Sequence, residues 1–132
     1  LVGRRLEVEL GPAEGWTVRA DPALLRRALE NLLSNALRFC PPGGLARLSC
    51  QRTRTGLLIL VEDEGPGISL EEREKVFEPF FRGSGAREGE GNGLGLYIAL
   101  TVIQGHGWTL EVRDSPSGGA CLAVAIPSKA LL

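Results

Sequence analysis

A chain of 132 residues, 43% hydrophobic and 23% charged, has the size and make-up of one folded domain with a packed core. Its formal net charge of -1 gives no electrostatic case for nucleic acid or an anionic membrane, and no apolar run approaches the roughly 20 residues of a membrane span. Three scattered cysteines (Cys40, Cys50, Cys121) without CxxC spacing, and the single histidine His106, argue against a zinc site and fit a reduced, cytoplasmic setting.

RRLEVEL (Arg4 to Leu10) alternates and reads as a strand; WTVRA (Trp16 to Ala20) reads as its hairpin partner after Gly11-Pro12. The next segment, ADPALLRRALENLLSNALRF, is a helix. Asp21 can accept the free amides of the first turn, and Pro22 suits a first position that needs no amide hydrogen. Pairs at Leu24/Leu25, Ala28/Leu29, Leu32/Leu33 and Ala36/Leu37 form a wide apolar stripe. Pro41-Pro42-Gly43-Gly44 ends the helix by Cys40. LARLSCQR and GLLILVED are two strands around a turn at 53–56, the second apolar on both faces and therefore central. SLEEREKVF is a short helix, with Ser69 as N-cap and Glu72 completing a capping box. A loop with five glycines from Phe81 to Gly93 precedes LGLYIALTVIQ, a helix apolar nearly all round and so expected to be buried. WTLEVRD and ACLAVAIP close the chain as strands around 115–119. The fold class expected is α+β: a two-layer α/β sandwich, its mixed, mostly antiparallel sheet of about five strands packed on three helices, plus an N-terminal hairpin.

Four segments carry chemistry. On the first helix Asn31, Asn35 and Arg38 (i, i+4, i+7) fall within about 60° of one another, at the margin of the leucine stripe. Phe39 lies beside them. Two amides and a guanidinium there can line a cleft, offering an oxygen to Mg²⁺ and a cation to phosphate; an ordinary polar helix edge looks the same in isolation. VEDEGPGI (Val61 to Ile68) ends an apolar strand in three carboxylates. Neighbours on a strand point to opposite sides, so the three do not converge into a metal cage or a paired-acid site. One of them, Asp63 or Glu64, faces a pocket while Glu62 points away, and the glycines let the backbone turn tightly. In GNGLGL (Gly91 to Leu96) glycines precede a helix N-terminus, which is a phosphate cradle in principle. It has neither GxGxxG spacing nor a following Lys-Ser/Thr. VFEPFFRG (Val76 to Gly83) sets aromatics and Arg82 immediately before the glycine-rich loop.

In this order the four segments resemble the ATP-binding catalytic domain of bacterial sensor histidine kinases, in the wider group (GHKL, the Bergerat fold) shared with DNA gyrase and MutL. ENLLSNALRF is similar to the N box, DEGPGI to the first glycine box, FEPFFR to the F box, GNGLGL to the second glycine box and SGGACLAVAIP to the last glycine-box strand. IQGHGWTLEV is similar to the family's HGG turn, which makes His106 structural and not a phosphoacceptor. The likeness spans nearly the whole chain, residues 1–132, as one catalytic domain.

The resemblance implies roles. Asp63 would accept a hydrogen bond from the adenine amino group, with Gly65, Gly67 and Ile68 shaping the pocket and Glu62 and Glu64 as solvated neighbours. Asn35 would bind Mg²⁺, and Asn31 would sit near the phosphates. Arg38, where Lys is usual, would contact phosphate, and Phe39, where Tyr is common, would lie near the base. Phe80 belongs with the nucleotide site, and Arg82 with the γ-phosphate. Gly91, Gly93 and Gly95 match lid glycines, and Leu94 and Leu96 the packing residues between them, in a lid of about residues 82–93. The cofactors implied are ATP and Mg²⁺, and Asn31, Arg38 and Arg82 are the catalytic set. Asn31 also stands where hydrolysing relatives place a glutamate base, and an amide cannot act as one. Ala120 replaces a common Thr.

The reaction implied is γ-phosphoryl transfer to a histidine on a dimerisation domain of the same full-length protein, with a response regulator downstream. That partner domain and any sensor domain are absent from this chain, which begins at Leu1 and not at Met. No signal peptide pattern is present. The isolated domain would be a monomer, and the full-length protein an inner-membrane-anchored homodimer with this domain in the cytoplasm. Two other readings compete: a nucleotide-binding regulatory module without transfer, and a serine kinase of the anti-sigma type, which the F box disfavours.

Overall fold

The structure is a computed structural model and describes residues 5–81 and 93–132. The polypeptide forms β1 (Arg5–Glu9), α1 (Pro22–Phe39), β2 (Leu45–Thr53), β3 (Gly56–Glu62), α2 (Gly95–Gly105), β4 (Thr109–Asp114) and β5 (Ala120–Pro127), with short 3₁₀ turns at Gly11–Ala13, Lys75–Phe77 and Ser128–Ala130. One five-stranded sheet runs in the order β1-β2-β3-β5-β4. All pairings are antiparallel except β1 with β2. Leu48, Val61, Leu122 and Val112 form one cross-strand row and Cys50, Ile59, Val124 and Leu110 the next. Both rows belong to the single main core, and both face the helices.

The first helix forms as its sequence dictates. The Asp21 carboxylate accepts from Leu24 N–H at 3.0 Å, Pro22 opens the first turn, and the helix stops at Phe39. Its buried line is Ala28, Leu32 and Ala36, at a spacing of four. The two alanines allow close packing on either side of the fully buried Leu32, and the flanking leucines are half-buried. The second helix is less enclosed than its composition suggests. Only Ala99 and Ile103 are buried, and Tyr97 is exposed. In a two-layer sandwich the outer side of each helix has no third layer to cover it.

Two expectations are corrected. Among the described residues there is no N-terminal hairpin. The first strand pairs in parallel with β2, in register from Arg5↔Leu45 to Glu9↔Ser49, while Val18 makes only an isolated bridge to Leu131. A parallel neighbour needs a long crossover, and α1 supplies it between β1 and β2. The turn at Gly11–Ala13 sends the chain away from β1, so the 16–20 segment meets the C-terminus instead: Arg19 N–H donates to Ala130 O at 2.7 Å and Leu132 N–H to Thr17 O at 2.9 Å. Nor do the described residues form a third α-helix. Residues 69–78 form successive turns, with Glu72 N–H on Ser69 O at 3.0 Å and Val76 N–H on Glu72 O at 2.9 Å, ending in a 3₁₀ turn. Gly67 and Pro79 confine the segment to a length below the roughly 12–15 residues at which a helix sustains itself. The Arg73 guanidinium, drawn back to Ile68 O at 3.3 Å and to Asp114, favours the turned form.

His106 ties the two helices together. Its Nε2 accepts the Asp21 N–H at 3.1 Å, where α1 begins, and its Nδ1 donates to Val102 O at 2.8 Å, inside α2. A backbone N–H can only donate and a carbonyl can only accept, so the neutral Nδ1–H tautomer is assigned from the partners. Trp108 lies against the ring, with centroids 4.7 Å apart. His106→Ala removes both hydrogen bonds and that contact. It is expected to cost about 1–3 kcal/mol, measured as a lowered urea midpoint with an unchanged m value.

Candidate functional site

Along β3 the alternation Leu57, Ile59, Val61 faces the helices, and continuing it by one step places Asp63 on the same side. This decides between the carboxylates: Asp63 is buried, with 5% exposure, and lines the cavity. Its backbone N–H donates to Ala120 O at 3.0 Å. Its Oδ1 accepts the amides of Gly65 at 2.8 Å and Ala120 at 3.3 Å. Among the described residues, Oδ2 has no such partner. Burial pushes the Asp63 carboxyl above its ordinary value, and the two amide bonds only partly counter this.

Glu62 and Glu64 are not merely solvated. Glu64 Oε1 accepts Leu45 N–H at 2.7 Å, holding the start of β2, and Glu62 Oε2 accepts the Ser115 hydroxyl at 3.1 Å. On the outer face beside them the Cys121 thiol is pushed up to about 11, chiefly by burial with Glu62 adding to it, so it stays protonated and unreactive.

The cavity is about 710 Å³ and opens between α1, the 63–69 loop and the start of α2. It brings together most of the residues expected from sequence. Asn31, Asn35, Arg38 and Phe39 line it from α1; Asp63, Gly67 and Ile68 from the loop; and Gly93, Leu94, Gly95 and Leu96 from the approach to α2. Gly65 does not line it. It works from behind, through its amide bond to Asp63, with no room for a Cβ, which would meet Phe39 O at 2.6 Å. Phe80 does not line it either. That ring is 68% exposed, and Phe81 lines the cavity in its place. Arg82 and Gly91 lie outside the described residues.

Phe80 has a backbone role. Its left-handed φ of 64° lets its N–H donate to Gly93 O at 2.9 Å, joining the chain just before residue 82 to the chain just after residue 92. Gly93, with φ 76°, has to be glycine here, because a Cβ would lie 2.7 Å from Phe80 Cα. The site residues expected from sequence do not include Glu72, Asp114, Gly118 or Gly119, all of which line the cavity, although the last two fall in the segment that resembles the last glycine box. The glycine pair was a usable signal for close backbone approach; the two acids carried none, since their place depends on turns between distant strands.

One atom is conspicuous. The buried Nδ2 of Asn31 has no hydrogen-bond partner among the described residues. An unpaired buried amide costs on the order of 1–3 kcal/mol, so such a group points to a ligand. Across from it, a Cβ on Gly95 would meet only Asn31 Oδ1, at 4.0 Å, which leaves open space between the two helices.

Residues 20–130 match the family described as histidine kinase-, DNA gyrase B-, and HSP90-like ATPase. The chain belongs to that family. Within it, the chain is 39% identical over 128 residues to the sensor histidine kinase CpxA of Escherichia coli K12, covering 96% of this chain and 27% of that protein. It is 45% identical over 108 residues to the signal transduction histidine-protein kinase/phosphatase MprB of Mycobacterium sp. KMS, covering 80% and 21%. It therefore spans about a quarter of the length of these curated relatives. A solved structure of a mycobacterial sensor histidine kinase MprB superposes with a TM-score of 0.80 at 35% identity, covering 95% of this chain and 82% of that one. The ATP-binding domain of PrrB from Mycobacterium tuberculosis gives 0.71 at 34% identity, covering 93% and 80%. As an ATPase-family domain of the sensor-kinase type, the chain has the five-stranded, helix-backed sheet expected of it.

The raised Asp63 carboxyl gives a signed prediction. A folded-state value above the unfolded one contributes stability that is present at low pH and lost as pH rises through the raised value. Asp63→Asn removes the buried charge and keeps an oxygen for the Gly65 and Ala120 amides. Its unfolding midpoint at pH 7 is expected to equal or exceed the parent's, the gap closing as pH falls below the ordinary aspartate range; a midpoint well below the parent's at pH 7 contradicts this account.

Proposed function

We propose that this domain binds ATP with Mg²⁺ and donates the γ-phosphoryl group to a histidine on a dimerisation domain of the same full-length protein. A response regulator is the downstream acceptor. The domain works on the cytoplasmic side, and the full-length protein is membrane-anchored; among the described residues, no helix is long and apolar enough to cross a membrane. The observation that carries the reading is that one cavity gathers Asp63 from the 63–69 loop with Asn31, Asn35 and Arg38 from α1, and that the buried Asn31 Nδ2 lacks a partner among the described residues. That spread matches a nucleotide: an acceptor for an amino group on the base, and amide and guanidinium groups for phosphates.

Asp63 Oδ2 accepts from the adenine amino group while Oδ1 is held by main-chain amides. Asn31 Nδ2 finds its missing acceptor in a phosphate oxygen, and Arg38 adds charge there. Arg82 is proposed for the γ-phosphate, and the segment of about 82–93 for the lid. The described residues contain no cluster of His, Cys, Asp and Glu able to hold a metal unaided. This fits Mg²⁺ arriving with the triphosphate and completed by the Asn35 side-chain oxygen. The ion would neutralise charge on the transferring phosphoryl group.

Transfer to protein is favoured over hydrolysis because Asn31 cannot take a proton from water. His106 is not the acceptor: both its ring nitrogens are engaged by main chain. The positioning of substrates by neutral and cationic groups, without covalent chemistry from the domain, is what phosphoryl transfer requires.

The test joins this domain to the histidine-bearing helical domain of its full-length protein. With Mg·ATP it is expected to form acid-labile, base-stable phosphohistidine. Asn35→Ala should lower the rate by on the order of 10²-fold, and Asp63→Asn should abolish ATP binding at a fold stability no lower than the parent's. ATP binding without phosphohistidine would instead identify a regulatory nucleotide-binding module.

A further inference from the structure

Five residues lie between β4 and β5, and they do more than connect two strands. The turn is closed on itself: Gly118 N–H donates to Ser115 O at 2.9 Å, and Ser115 N–H donates to Gly119 O at 3.1 Å. From this frame the Ser117 hydroxyl donates to the main-chain carbonyl of Asp63 at 3.1 Å. Ser115, itself buried, lies 3.0 Å from Ser117 between the two hydroxyls and bonds Glu62 on the strand leading to Asp63. The approach is as close as backbones allow. A Cβ on Gly119 would fall 2.0 Å from Asp63 O, and one on Gly67 would fall 3.0 Å from Gly118 O.

The front of the same turn is anchored as well. Asp114, the residue before it, pairs with Arg73, whose Nε donates to Ile68 O at 3.3 Å. So the loop 63–68 is gripped at both ends from one place, at Asp63 by Ser117 and at Ile68 by Arg73 through Asp114. Neither Ser117 nor Arg73 lines the large cavity. Ser117 instead lines a small recess of about 130 Å³ behind Asp63.

We propose that this turn is a two-point strap that aims the base-reading carboxylate, with Ser117 and Arg73 as positioning residues for base selectivity. The inference rests on the reading of Asp63 given above. The Asp63 carbonyl and its Oδ1 are both engaged, so the peptide plane and the side-chain rotamer are set together. Oδ2 is left as the one acceptor presented to a ligand. Releasing the carbonyl lets the 63–64 peptide rotate and takes Oδ2 off its line, while groups on α1 that meet the phosphates stay where they are.

The test compares the dissociation constants of Mg·ATP and Mg·ITP, which share the triphosphate but differ in a 6-amino or a 6-oxo group. The parent is expected to prefer ATP. Ser117→Ala should weaken ATP about three- to tenfold, the scale of one lost hydrogen bond, and leave ITP nearly unchanged, so that the preference shrinks. Ser117→Thr keeps a hydroxyl and should restore it. Arg73→Gln, which frees the front of the loop without touching Ser117, should reduce the preference too. A preference equal to the parent's in both Ser117→Ala and Arg73→Gln overturns the strap, as does an equal weakening of both nucleotides. A parent that does not distinguish ATP from ITP shows that Asp63 does not read the amino group, and both readings fall together.

Discussion

The pairing of Asp63 with Ala120 is the contact on which the rest of the molecule depends. The third strand is apolar on both faces: Leu57, Ile59 and Val61 enter the main core, and Leu58 and Leu60 form a second cluster with Cys121 and Ala123 on the outer face. Hydrophobic burial alone therefore tolerates a one-residue slip, which would exchange the two faces. The polar end of the strand does not. In the observed register Glu62 lies opposite Cys121, which brings the Ala120 amide and carbonyl to Asp63. Moving the strand by one residue would turn a glutamate toward the helices and take the Asp63 carbonyl out of the space that the missing Cβ of Gly119 leaves for it, 2.0 Å away.

The three consecutive acids thus divide their work by direction. The outward pair serve as fasteners: Glu64 holds the first amide of β2, and Glu62 holds Ser115. Asp63 alone faces the cavity, and it bears the desolvation. Its cost and the orphaned Asn31 amide are the same kind of expense, polar groups kept short of solvent in the apo domain. They stand on separate elements, the 63–69 loop and α1, and both line one cavity, so a single ligand that spans it can relieve both. His106 couples the start of α1 to the end of α2, which helps to fix the α1 wall of the cavity.

What could be read in advance follows from the range of the interaction involved. The first helix was legible from Asp21 to Cys40 because its signals are local: a cap, a proline, a spacing of four, and a double proline. Asp63 was legible once strand period was applied, although the choice between it and Glu64 needed the register. The N-terminal hairpin misled because Leu6, Val8 and Leu10 alternate as any strand does, and alternation does not name a partner. These side chains remain substantially exposed on an edge strand, so burial gave the segment little direction. The 69–78 segment misleads because a capping pattern is local, whereas one partner of Arg73, Asp114, is supplied by a strand far along the chain.

Phe80 and Phe81 show the same limit at the scale of one residue. Both are apolar and adjacent, and either could fill a cavity wall. What separates them is the backbone bond to Gly93, which demands a left-handed residue at position 80 and turns its ring outward, leaving Phe81 to face in. A bulky non-glycine residue held at φ 64° is strained by about 1–3 kcal/mol, and such strain persists only where the surroundings over-determine it. Here the surroundings are the closed bases of the 82–92 segment. The bond from Phe80 N–H to Gly93 O at 2.9 Å and the space that only a glycine at 93 can leave beside Phe80 Cα hold that conformation in place.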